Sequence, residues 1–202
     1  MHHHFIEQVY RNNKNYRGII FLDRDGTINR EEKYIYHEKQ IKFLPQVTEG
    51  IRLLNKNNIA VIVITNQPAV ARGLITIEDL KKLNDILFEK LKKENAYIDA
   101  IYSCPHHPER SHSDIPRDAM KYRISCKCRK PGTAMHKKAI SIYGSSKIIG
   151  VIGDQTRDIL AAKNLGTIGV IVKTGFKGKD GLYDVTADSV CENFLNAVKV
   201  LL

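Results

Sequence analysis

The apolar stretches of the chain are short, rich in Ile and Val, and spaced so that a helix fits between one and the next. Five read as strands: "GIIFLD" (18–23), "IAVIVIT" (59–65), "IDAIYS" (98–103), "KIIGVIG" (147–153) and "TIGVIVK" (167–173). The second, fourth and fifth are nearly unbroken in apolar residues, as parallel strands covered on both faces must be. A short sixth strand is expected at 188–191. Between the strands the period lengthens. In "TIEDLKKLNDILFEKLKKEN", Leu80, Leu83, Leu87 and Leu91 fall on one helical face. Thr76 stands where an N-cap belongs, with Asp79 three residues on, close to a capping box. Further helices are expected over 48–57, 133–143, 156–165 and 193–201, with Gly166 stopping the helix before it.

Strands alternating with helices predict an α/β, doubly wound, Rossmann-like fold with a mainly parallel sheet. No internal repeat and no linker divides residues 18–202, which read as one domain. Residues 1–17, "MHHHFIEQVYRNNKNYR", read as a polar N-terminal extension. Two segments fit no simple strand–helix unit: 26–46 and 104–132. Long irregular segments in a compact domain are usually functional or disordered. Both begin at carboxyl ends of strands, where open α/β sheets bind ligands. Only about 40 residues separate Asp23 from Thr65, so no separate cap domain is expected.

Composition narrows the partners. The 202 residues are 43% hydrophobic and 27% charged, ordinary for one globular domain with a real core. No apolar run approaches the roughly 20 residues that cross a bilayer. The N-terminal stretch lacks the apolar core of a secretory signal, so a cytoplasmic location with no membrane partner is expected. The net charge of +10 favours anionic partners, either phosphorylated metabolites or nucleic acid. The basic residues are scattered over solvated helix faces such as "KKLNDILFEKLKKEN". No RNA-recognition motif, helix-turn-helix signal or aromatic-rich basic stripe is present, and no nucleic-acid partner is expected. Of four cysteines, Cys191 lies in an apolar stretch and reads as a core residue. Cys104, Cys126 and Cys128 share one segment, a grouping that points to metal more than to disulfides.

The first strand ends in Asp23-Arg24-Asp25-Gly26-Thr27. An Asp pair there can form a turn and nothing more, since Asp-Gly is a common turn dipeptide. Three other strand ends add to it. "VIVITNQPAVARG" supplies Thr65 and Asn66, "CKCRKPG" supplies Arg129 and Lys130, and "GVIGDQTRD" supplies Asp154 with Asp158 four residues on. In a doubly wound sheet these edges face one crevice. Carboxylates, a hydroxyl and a lysine meeting there make a magnesium-dependent phosphoryl-transfer site. Asp158 has two readings, an acid organising the magnesium site or an acid in the first turn of a helix. In "CPHHPERSHSDIPRDAMKYRISCKCRKPG", Cys104-x-His106 and Cys126-x-Cys128 suit a closed tetrahedral zinc site. The alternative is four unlinked loop residues.

These motifs resemble the haloacid dehalogenase-like hydrolases, whose strand ends carry DxDGT, S/T, K and GD…D, over about residues 18–198. Within them, "FLDRDGTIN", "TNQPAVARG", "CPHHP" and "CKCRKP" are similar to the family of D-glycero-D-manno-heptose 1,7-bisphosphate 7-phosphatases, which shares its signatures with histidinol phosphatases. The resemblance implies Asp23 as nucleophile, forming an aspartyl-phosphate, and Asp25 as the residue that gives and then takes a proton. It implies magnesium held by Asp23, Asp154 and the backbone carbonyl of Asp25, with Thr65 and Lys130 on the phosphoryl oxygens. It also implies a structural zinc on Cys104, His106, Cys126 and Cys128, with His106 rather than His107 as ligand and His112 facing solvent. The zinc would fix Arg129 and Lys130 beside the phosphate. Asn66, Gln67 and Arg129 are implied substrate contacts, and Glu31, Glu32, Lys33 and Tyr34 a recognition loop.

The implied activity is removal of the 7-phosphate from a small phosphorylated sugar by a monomer. Its place is in making nucleotide-activated heptose for lipopolysaccharide core or surface polysaccharide. Histidinol phosphate is the alternative, disfavoured by the basic site; a DNA-end phosphatase and a non-catalytic phosphate binder stand further off. The chain departs from the family pattern at Pro68-Ala69-Val70, at Glu31-Glu32-Lys33 before Tyr34, and in "KPGTAM". These departures bear on substrate and anomer rather than on the chemistry.

Overall fold

The computed structural model describes residues 5–12, 15–108, 116–144 and 147–202. Six parallel strands carry the fold: β2 (Gly18–Leu22), β3 (Ile59–Asn66), β4 (Ala100–Cys104), β5 (Ile148–Gly153), β6 (Gly169–Val172) and β7 (Ser189–Cys191). They lie in the order β4-β3-β2-β5-β6-β7, and each falls within two residues of a strand expected from the apolar runs. Alternation along β2 divides the core. Ile20 and Leu22 face one side, with residues of α1 (Val47–Lys56), α3 (Ile77–Lys93) and α7 (Phe194–Leu201). Ile19 and Phe21 face the other, against α5 (Ala134–Tyr143) and α6 (Thr156–Leu165). With helices on both faces, the sheet has no wet side to signal by alternating polarity.

Local chemistry sets the helix ends. Asp79 N–H donates to Thr76 Oγ1 at 3.1 Å and Thr76 N–H to Asp79 Oδ2 at 3.0 Å, closing the capping box of α3. Gly166 ends α6 in the left-handed conformation, φ +66°. Cys191 is buried in the core, as its apolar surroundings predict.

The N-terminal stretch departs from its reading as a polar extension. Residues Ile6–Val9 form β1, antiparallel to β4, with Ile6 opposite Ser103. Without it β4 would be an open edge with an unpaired hydrogen-bond ladder. Ile6 packs with Val70 and Leu80. Tyr10 stacks on Phe88 at 4.1 Å and donates to Asp85 at 2.9 Å. Four residues with a single buried position make too short a pattern to stand out beside polar neighbours.

β2 has β3 on one side and β5 on the other, so the chain reverses its winding at the carboxyl end of β2. Described residues of both long segments border the cleft at that point. Residues 26–46 form a compact flap: Gly26 N–H donates to the Asn29 carbonyl at 2.8 Å, and Lys42 N–H to Asn29 Oδ1 at 2.6 Å. The Gln40 side chain accepts from Tyr36 N–H and donates to the Tyr34 carbonyl, at 2.8 and 3.0 Å. After β3 comes the short α2 (Pro68–Ala71), and within the segment after β4 the short α4 (Arg117–Met120).

Candidate active site

Asp23 is the first residue beyond β2, anchored by its N–H to the Ile152 carbonyl at 2.9 Å. Thr65 stands near the end of β3, and Asp154 directly follows β5. Lys130 arrives from the segment after β4 and sets its Nζ 2.8 Å from Asp23 Oδ1 and 2.7 Å from Asp158 Oδ1. Burial alone would discharge that lysine; Asp158 and Asp23 outweigh it and hold the ammonium above its ordinary pKa. Carboxylate oxygens of Asp23, Asp154 and Asp158 lie within 4.8 Å of one another. Burial pushes Asp23 up to about 6 although Lys130 opposes it. Burial, then Asp23 and Asp158, push Asp154 up to about 9. Three acids facing one lysine leave the cluster short of positive charge.

The shortage is concentrated on Asp154. Its Oδ2 accepts the Phe176 N–H at 2.8 Å, while its Oδ1 is buried with no hydrogen-bond partner. Backbone crowds the carboxylate: a Cβ on Gly26 would lie 2.3 Å from Oδ2, and one on Gly175 only 2.1 Å. Gly26 also takes φ +79°, which a side chain would resist. Thr174 Oγ1 donates to the Gly26 carbonyl at 2.6 Å and fastens the two loops together. A buried, unsatisfied carboxylate oxygen among hard donors fits a divalent cation such as magnesium. Asp158 combines both readings given to it. Its Oδ2 accepts the Gln155 N–H at 3.2 Å at the start of α6, and its Oδ1 belongs to the charge cluster through Lys130.

Asp25 stands apart from those three acids. It accepts from Arg24 Nη2 at 2.9 Å and from Gln67 Nε2 at 2.8 Å. Gln67 also donates to Thr65 Oγ1 at 2.9 Å. Behind them Arg24 donates to Asn84 Oδ1 at 3.1 Å, and Asn84 to Ser103 Oγ at 3.1 Å. Asn66 accepts the Lys130 N–H at 2.9 Å and donates to its carbonyl at 3.2 Å. Both amides expected at the substrate are thus occupied in holding Asp25, Thr65 and Lys130. The Arg24–Asn84 support was not anticipated. Its trace in the sequence is an asparagine beside the leucine face of α3.

Asp23, Asp25, Thr65, Asn66, Gln67 and Lys130 line a cleft of about 460 Å³. Glu31, Glu32, Lys33 and Tyr34 line it from the flap, and Arg129 from beside Lys130. Arg72, His107, Gln155, Arg157 and Phe176 line it too, and the motif reading missed them. Burial, then Asp25 and Asp23, push Glu31 up to about 7.

Beside the cleft, Cys104, His106, Cys126 and Cys128 gather their donor atoms within 4.8 Å. Cys128 Sγ lies 3.1 Å from Cys126 Sγ, 3.3 Å from Cys104 Sγ and 3.3 Å from His106 Nδ1. Three thiols and an imidazole arranged this way fit one tetrahedral zinc ion. His107 turns to the cleft instead, and His112 lies outside the described residues. The cluster also fixes its neighbour: Arg129 N–H donates to Cys126 Sγ at 3.4 Å, and Arg129 Nη1 to the His106 carbonyl at 3.1 Å.

Comparison with known proteins agrees with this geometry. Residues 18–156 match the family model described as polynucleotide kinase 3 phosphatase, and residues 127–197 the one described as HAD-hydrolase-like. The chain is 35% identical over 165 residues to a D-glycero-beta-D-manno-heptose-1,7-bisphosphate 7-phosphatase of Rhodopseudomonas palustris, covering 81% of this chain and 86% of that one. The Escherichia coli K12 protein of the same name is also 35% identical, over 77% of this chain and 79% of its own. Among solved structures, the D,D-heptose 1,7-bisphosphate phosphatase of B. bronchiseptica, complexed with magnesium and phosphate, superposes with a TM-score of 0.74. It is 27% identical and covers 91% of this chain and 97% of its own.

Proposed function

Because this chain belongs to the haloacid dehalogenase-like phosphatase family of the D-glycero-beta-D-manno-heptose-1,7-bisphosphate 7-phosphatases, we propose that it hydrolyses the 7-phosphate of that beta heptose bisphosphate. The observation that carries the reading is the meeting of Asp23, Thr65 and Lys130 at one cleft, with Asp154 beside Asp23, in a chain so closely matched to those enzymes. In this reading an Asp23 carboxylate oxygen attacks phosphorus and the bond from phosphorus to the sugar oxygen breaks. Asp25 gives the departing oxygen a proton, leaving heptose 1-phosphate and an aspartyl-phosphate. Asp25 then takes a proton from the water that attacks the same phosphorus, freeing inorganic phosphate and restoring Asp23. Thr65 and Lys130 hold the phosphoryl oxygens as charge builds on them.

Asp23, Asp154 and the backbone carbonyl of Asp25 would hold magnesium, which would supply the positive charge that lets one anion approach another. The partly occupied amides of Asn66 and Gln67 leave Arg129 and the flap residues Glu31, Glu32, Lys33 and Tyr34 as the main contacts to the sugar. Zinc on Cys104, His106, Cys126 and Cys128 orders the loop that carries Arg129 and Lys130. The product suits nucleotide activation of heptose for surface polysaccharide. The test is a panel of phosphorylated metabolites assayed with magnesium, including both heptose 1,7-bisphosphate anomers and histidinol phosphate. The beta bisphosphate is expected to be the best substrate. Selective turnover of histidinol phosphate rejects the reading.

A further inference from the structure

The cations of the cleft fall into two groups. Lys130 is matched by Asp23 and Asp158, and Arg24 by Asp25. Arg129 and Arg157 have no carboxylate within ion-pair distance among the described residues, Glu31 and Asp180 acting on Arg157 only from further off. Arg157 stands in the first turn of α6 and lines the cleft, its Nε buried without a hydrogen-bond partner. Arg129 commits one terminal nitrogen to the His106 carbonyl and otherwise faces the same space. Arg72 lines the cleft as well, over the ring of Tyr34 at 5.4 Å.

Two like charges held in one cleft disfavour each other. A fold that places them together gains when an anion lies between them, and two planar guanidinium forks match phosphate oxygens. The reacting phosphate has its own cations, so this anion is a second one. We propose that Arg157, with Arg129, forms a subsite for the phosphate that is not cleaved, making Arg157 the residue that selects sugar bisphosphates over monophosphates. The proposal rests on the phosphatase reading above and adds to it a reason for the substrate class. It also explains why a substrate with a cationic tail would be turned away, since that tail would meet two arginines.

The experiment compares heptose 1,7-bisphosphate with heptose 7-phosphate, which share sugar and scissile bond, on the wild-type protein, Arg157→Ala and Arg157→Lys. Losing one charged contact should lower kcat/KM for the bisphosphate by about 10- to 100-fold, chiefly through KM. The monophosphate should fall by far less, so the ratio between the two substrates collapses, and Arg157→Lys should recover part of it. An equal loss on both substrates, or no loss on either, overturns the subsite. Should wild-type protein hydrolyse neither heptose phosphate, the heptose reading fails by itself. The subsite is then read on fructose 1,6-bisphosphate against fructose 6-phosphate, where absence of an Arg157-dependent preference overturns it. A protein inactive on every phosphate monoester overturns both.

Discussion

Asp23 is held by a lysine that has a second acid to hold, and this makes its substitution informative. Asp23→Asn preserves shape, and Lys130 keeps Asp158 at 2.7 Å, so the fold should survive. Turnover should drop at least about a thousandfold, because an amide cannot form the acyl-phosphate. Steady-state assay beside circular dichroism checks this; an active Asp23→Asn protein would remove Asp23 as nucleophile. Gly175→Ala probes the cation site without replacing any of the residues that would hold the ion. Its Cβ would fall 2.1 Å from Asp154 Oδ2 and 2.8 Å from the Gly26 Cα, and backbone cannot yield as a flexible side chain can. The magnesium concentration for half-maximal activity should rise about 10- to 100-fold. The acids themselves were legible as strand-end residues. What they touch was not: the Lys130–Asp158 pair joins residues 28 positions apart, and Lys130 sits on an irregular segment whose path no periodicity records. For the same reason Asn66 and Gln67 read as substrate contacts, although their amides hold Lys130, Asp25 and Thr65.

At the scale of elements, the zinc-type cluster decides where two cations sit. Cys128 immediately precedes Arg129 and Lys130, so whatever orders the four donors also orders the floor of the cleft. Cys126→Ser, or stripping zinc with a chelator, should lower the melting temperature and activity together. Added magnesium should not restore the stripped protein, whereas added zinc should; a stripped protein with full activity would refute the structural role. Across the sheet, β1 is attached mainly through contacts of its own. Tyr10→Ala removes the stack on Phe88 and the bond to Asp85 and should cost about 1–3 kcal/mol in urea unfolding, with kcat/KM unchanged. The two elements also mark the limits of pattern reading. β2 to β6 were legible because burial on both faces demands largely apolar runs. β1 was not, because an edge strand needs only one buried side chain, Ile6, to find its place.

The whole molecule gathers acids at its centre while carrying a net charge of +10, so its stability should depend on magnesium in a pH-dependent way. Without metal, folded Asp154 keeps its proton up to about 9, whereas the unfolded chain releases it near 3.8. Between those values the native state binds more protons than the unfolded state, so this group makes stability fall as pH rises. His136 acts in the opposite sense: burial, then Lys130, lower it from 6.5 to about 3, so its effect is complete by pH 6.5. Above pH 6.5, Asp154 is therefore the leading carboxylate, joined by Glu31 up to about 7. The lowered Cys126 thiol opposes it where the cysteines are metal-free, so the test uses magnesium-free protein loaded with zinc. The melting temperature of that protein should decline from pH 6.5 to 8.5. Magnesium competes with the proton on Asp154, so the rise in melting temperature it produces should be larger at pH 8.5 than at 6.5. Calorimetry in two buffers of different ionisation enthalpy should show proton release on binding at the lower pH. A magnesium effect that shrinks as pH rises would mean that the cation does not bind at Asp154, and the charge shortage at the sheet's centre would need another explanation.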